Sequence, residues 1–192
     1  MSRATAWISA AGLAALLVAS GVVAATTPSD DQWQQPFAVA ASTDERASGR
    51  NLAATVHGAV LSDVVSAGSW TSGEGSLWVL VDASVEAVVT ERAALLGHAV
   101  LVLGDRTYAA SDRPGDSSLR RAGLSVGIPL RGMLAFEVPA DTLDGDTAAS
   151  AELQLAVDSD PRLDSMIVVP LDLTELPHHR AAQITAPAWG RG

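Results

Sequence analysis

Three observations predict an all-β protein, an antiparallel β-sandwich preceded by one apolar helix. Residues 77–90 alternate between apolar and polar side chains, residues 151–157 repeat the pattern, and residues 8–25 form an 18-residue run without a charge. Successive side chains of a strand point to opposite faces, so a period of two reads as a sheet. An uncharged run of that length reads as a membrane helix.

The helix comes first. Arg3 precedes the run and Asp30-Asp31 follow it. As a helix, residues 8–25 span about 27 Å at 1.5 Å per residue, close to the hydrocarbon thickness of a bilayer. The basic residue at the start places the N-terminus in the cytoplasm and the rest outside, a single-pass protein of the cell membrane. Small residues at 22–25 also fit a cleaved signal peptide, which would leave a secreted chain. Residues 1–27 are thus an anchor or signal segment, and residues 28–39 a short polar stalk.

The sandwich is predicted over residues 40–176. In the clearest strand, Leu77, Val79, Val81, Ala83, Val85, Ala87 and Val89 share one parity, while Asp82, Ser84, Glu86 and Thr90 lie on the other. Residues 151–157 place Ala151, Leu153, Leu155 and Val157 inward. Residues 98–103 and 106–111 flank Gly104-Asp105 and read as a hairpin. Residues 51–65 read as a strand bent or bulged at Gly58. Residues 133–138 and 166–169 add strands, and Pro170 marks the latter as an edge or bulge. Short helical turns are expected at residues 90–97 and 117–123, and a solvated tail at residues 177–192. Six to eight short strands without βαβ alternation point to an immunoglobulin-like sandwich, with a small barrel as the other option.

Several segments together resemble a known group. These are Val56-His57-Gly58, the run from Leu77 to Val85, Tyr108 after the hairpin turn, and the stretch from Leu124 through Phe136 to Pro139. They are similar to the exported immunoglobulin-like domains of unknown function common in actinobacteria, themselves similar to mycobacterial secreted immunoprotective antigens. The resemblance covers roughly residues 50–173 and implies the fold without catalytic residues. One departure is Glu86-Ala87, where many such domains carry an Asn. Members are often lipoproteins, whereas this chain has no cysteine, so the resemblance leaves its apolar segment to hold it at the membrane.

Composition narrows the function. The net charge of −10 opposes nucleic-acid binding, and the 12 basic residues are all Arg, which removes lysine Schiff-base chemistry. The absence of cysteine removes disulfides, thiolate metal sites and cysteine nucleophiles. His57 and His98 fall in strands, where a hydrogen-bonded structural histidine is expected, and His178-His179 in the tail. Aspartates crowd two loops, residues 141–146 and 158–164, without the spacing of a calcium-binding loop. No cofactor or metal ligand set is assigned and the chain is not read as an enzyme. Trp33 and Trp70 lie in polar stretches and are the candidate partner-binding residues. The expected function is a membrane-tethered extracytoplasmic binding or accessory module for another envelope protein, such as a transporter. The alternative is a secreted ligand-binding or sensing module.

Overall fold

A computed structural model of the chain describes residues 3–27, 34–73, 75–89, 94–143 and 146–190. Trp33 and residues 90–93 of the expected helical turn lie outside these. The chain divides into two compact units, Met1–Gln35 and Pro36–Gly192.

In the first unit, helix α1 runs over Arg3–Thr26. Its C-terminal carbonyls are taken up locally, as the Thr26 hydroxyl donates to Val22 O (2.8 Å) and the Thr27 hydroxyl to Val23 O (2.7 Å). Leu13, Leu16, Leu17, Val18, Val22 and Val23 are all exposed. Among the described residues no helix is long and apolar enough to cross a membrane.

The second unit is a β-sandwich of two sheets. The first has the order β1 (Phe37–Ala40), β10 (Ser165–Leu171), β9 (Ala151–Ala156), β6 (His98–Leu103) and β7 (Arg106–Ala109). The second has the order β11 (His178–Ile184), β3 (Leu52–Ala67), β5 (Leu77–Ala87), β8 (Leu130–Val138) and β12 (Ala188–Trp189). Two short strands, β2 (Arg46–Ser48) and β4 (Trp70–Thr71), also pair with β3. Most pairings are antiparallel, as expected, but β1 pairs β10 and β11 pairs β3 in parallel. Within the two sheets the main strands run in the order β3-β5-β8 in one and β7-β6-β9-β10 in the other. Here the long strands β3 and β5 are neighbours in one sheet.

The main core lies between the sheets. From β5 it takes Leu77, Val79, Val81, Ala83, Val85 and Ala87, and from the facing sheet Leu101, Leu153, Leu155 and Ile167. The period-two expectation for this parity therefore holds through Ala87, whereas Val89, beyond the end of β5, is exposed. The opposite parity is not simply solvent-facing, because Trp78 and Leu80 are fully buried in a second cluster with Val65, Ala67, Ala135 and Ile184. Beyond them the same face turns polar at Asp82, Ser84 and Glu86.

Two further expectations are met in altered form. Gly58 marks a bulge in β3, where the register against β5 shifts between Val56 and Gly58 and leaves His57 as the extra residue. Its φ of 155° is one that residues with a Cβ rarely adopt. Pro170 lies in a strand with neighbours on both sides, not on a sheet edge. β1 ends at Ala40 opposite Val168, and Ala41 N–H donates to Val168 O (3.0 Å). Two residues on, the proline nitrogen faces the side that β1 has already left, so its missing donor disrupts no ladder.

The expected tail needs correction. Residues 178–184 form β11, paired with β3 from Leu61 to Ala67. Only Ile184 of this strand is buried, so backbone pairing rather than apolar alternation holds it.

These burials set a contrast. Val81→Asp forces an unpaired carboxylate into the main core and is expected to cost several kcal/mol, enough to unfold the domain. Glu152→Gln, on the exposed parity of β9, is expected to stay within about 0.5 kcal/mol. Urea unfolding of both variants checks the register.

Candidate functional site

The polar half of the outer face of the second sheet is where side chains converge. Pairing aligns Arg46, Thr55, Ser84 and Arg131 in one row across β2, β3, β5 and β8. Directly opposed residues share a face, so this row and its diagonal neighbours form a single polar surface. A cleft of about 360 Å³ opens on it, with Asp44, Arg46, Thr55, His57, Ser84 and Glu86 among its walls. That volume falls within the range of small-molecule sites.

Each polar group of the β5 face has a partner from another strand. Arg131 grips Asp82 in a two-bond fork (3.1 and 2.7 Å). The Arg46 guanidinium donates to Glu86 Oε1 through Nε (3.0 Å) and also through Nη2. Glu86 is buried, with a side chain only 8% exposed, whereas the Arg46 side chain is 58% exposed. A buried carboxylate without a cation would be costly, so Arg46 closes one end of the cleft as a charge partner.

At the centre stands His57, aimed by the bulge. Its Nε2 lies 2.8 Å from Ser84 Oγ, and its Nδ1 lies 3.6 Å from Asp44 Oδ1, an ion-pair separation beyond hydrogen-bond range. With Nδ1 protonated toward Asp44, Nε2 is the acceptor of the Ser84 hydroxyl proton. Ser84 is buried at the cleft floor, while the Asp44 side chain is largely exposed. Asp44 itself sits at φ 64°, a left-handed conformation unusual outside glycine, and its N–H donates to Val56 O (2.7 Å) next to the bulge. A bulge, a left-handed non-glycine residue and a buried carboxylate all border one cleft. Conformational costs of this kind concentrate at functional sites.

The residues singled out from sequence lie elsewhere. Trp70 is half-buried on β4, and its ring meets Trp78 edge-on, with centroids 5.7 Å apart and planes at 75°. It packs against the second cluster, so the sheet shelters an indole that the small residues of its own loop do not. His178, expected to be solvated in the tail, pairs with Asp63 at 2.8 Å. Of the acidic loops, Asp160 pairs with Arg162, and Asp164 accepts from Asn51 Nδ2 (2.6 Å). Among the described residues no group of three His, Asp or Glu side chains is placed to hold a metal ion. The cleft residues Asp44, Arg46, Ser84 and Glu86 were not picked out as a site by sequence. The available signal was the polar parity of residues 82–86 combined with a glycine inside a strand.

The molecule is therefore a β-sandwich with a polar cleft on the outer face of one sheet. No protein-family model matches the chain, and no curated protein matches it. Among solved structures, the chain is similar to an uncharacterised β-sandwich protein from Clostridium difficile 630, determined at 1.90 Å resolution. That likeness has a TM-score of 0.48 and 10% identity, over 76% of this chain and 99% of the other.

Two outcomes follow from the packing. Trp70→Ala strips one side of the second cluster and is expected to cost about 2 kcal/mol. Unchanged stability would instead return the indole to the role of a free contact residue. His98 is held below its ordinary pKa of 6.5, first by burial and then by the nearby Arg120 charge, against raising contacts with Ser159, Gln154 and Asp160. The unfolded chain therefore takes up a proton at higher pH than the folded one. Stability is expected to fall as pH drops below about 6.5, and to level off below the folded pKa. Thermal melts of His98→Gln between pH 7 and pH 4 should lack that part of the decline.

Proposed function

We propose that the chain is a membrane-tethered extracytoplasmic β-sandwich that binds a small polar ligand in the cleft around His57. The observation that carries the binding reading is the convergence of Asp44, Arg46, His57, Ser84 and Glu86 on one cavity of about 360 Å³. Two carboxylates and one guanidinium among these walls favour a ligand that is neutral or cationic and rich in hydroxyl or amine groups. The tether rests on the uncharged run of residues 8–25, the Arg3/Asp30 asymmetry and the helical Arg3–Thr26 segment. The resemblance to actinobacterial exported domains agrees with an envelope location. An accessory role beside another envelope protein had Trp70 as its main support, and the packing of Trp70 on Trp78 favours the ligand reading over it.

Two measurements test the proposal. A C-terminally tagged copy is expected in the membrane fraction and extractable only by detergent. Tagged protein in the medium, beginning near residue 25, would overturn the tether and leave the secreted alternative. For the cleft, thermal shift against monosaccharides, amino acids and short amines is expected to identify stabilising compounds. A ligand at a hundred times its Kd adds about 2.7 kcal/mol, or several degrees for a chain of this size. His57→Ala should abolish that shift. No shift with any compound, or one that persists in His57→Ala, would overturn the binding reading.

A further inference from the structure

We infer that the cleft is an acyl-transfer site in which Ser84 is the nucleophile, His57 the general base and Asp44 the residue that positions His57. The inference rests on the cleft being the ligand site and adds chemistry to it. Three facts carry it. Ser84 Oγ is within hydrogen-bond reach of His57 Nε2 at 2.8 Å. The other ring nitrogen faces the Asp44 carboxylate at 3.6 Å. All three side chains line the same cavity. Serine, imidazole and carboxylate in that order, each ring nitrogen facing one neighbour, is the connectivity that activates a hydroxyl at neutral pH. Residues 44, 57 and 84 come from a turn, a bulge and the central strand, so no local motif announces them.

The substrate class is a small carboxylic ester with a neutral or cationic alcohol portion. Ser84 Oγ attacks the carbonyl carbon as its proton passes to His57 Nε2. The tetrahedral intermediate collapses, the ester C–O bond breaks, and His57 returns the proton to the departing alcohol. Water then adds to the acyl-serine with His57 again taking a proton, and collapse frees the carboxylic acid and Ser84. Arg46 lines the same cleft with its guanidinium held by Glu86. Asp44 is largely exposed, so its electrostatic hold on His57 is screened and its effect is smaller than that of a buried carboxylate.

The test uses the full chain and a fluorophosphonate probe, on which Ser84 Oγ forms a P–O bond and expels fluoride. The expected result is a single adduct, mapped by mass spectrometry to Ser84 in the wild-type protein. Hydrolysis of p-nitrophenyl acetate should fall to background in Ser84→Ala and about a hundredfold or more in His57→Gln. Asp44→Asn should lower kcat/KM about tenfold at unchanged melting temperature, and Asp44→Glu should recover part of it. Because the adduct is read in the wild type, a variant that fails to fold does not obscure the answer. No adduct, an adduct at another residue, or hydrolysis equal in Ser84→Ala overturns the inference. Ligand-induced stabilisation without an adduct would overturn the chemistry and leave the binding reading standing, whereas loss of both would remove the site altogether.

Discussion

β5 is the central strand of its sheet, bonded to β3 on one side and β8 on the other, and it is buried on both faces. A strand in that position leaves no side chain free to choose its surroundings. Its Leu77–Ala87 odd parity fills the space between the sheets, where Val79, Val81, Ala83 and Val85 have no exposed surface. Its other parity must be covered by something other than the opposite sheet. The first half, Trp78 and Leu80, is apolar and is covered by Trp70, Val65 and Ile184. The second half, Asp82, Ser84 and Glu86, is polar, and each residue requires a partner because its surroundings are only partly wet. Arg131, His57 and Arg46 meet that requirement, and the space between them is the cleft.

The bulge in β3 follows from the same constraint. Thr55 is the ladder partner of Ser84, and an unbroken ladder would continue with His57 opposite Asp82. Inserting His57 breaks the register once and turns an imidazole onto the serine. Gly58 accommodates the backbone there, since its φ of 155° suits a residue without a Cβ. Asp44, at φ 64°, closes the same corner by donating its N–H to Val56 O and facing its carboxylate to the ring. Local geometry that is unfavourable taken alone is held in place by the ladders around it.

Much of the fold was legible in residue order. The odd parity of residues 77–87, the inward set Ala151, Leu153 and Leu155, the hairpin at Gly104 and the bulge at Gly58 were all readable, because each is a local pattern with one geometric meaning. β11 was not, because residues 178–184 carry no apolar alternation and their pairing depends on backbone groups that every sequence possesses. Trp70 illustrates the same limit. Its loop is small and polar, and nothing nearby in sequence discloses that Trp78 lies beneath it.

The candidate site marks the boundary most clearly. By itself, the sequence determined the class of the fold, the inward face of its main strands and an uncharged N-terminal segment, since burial and polarity act through side-chain periodicity. It also determined that Asp82, Ser84 and Glu86 share a face, through alternation alone. Which residues those three meet was decided only by the tertiary structure. Asp44, Arg46 and His57 reach β5 through strand pairing and one register shift, and pairing partners are set by the closure of the whole sheet rather than by any residue's neighbours in the chain.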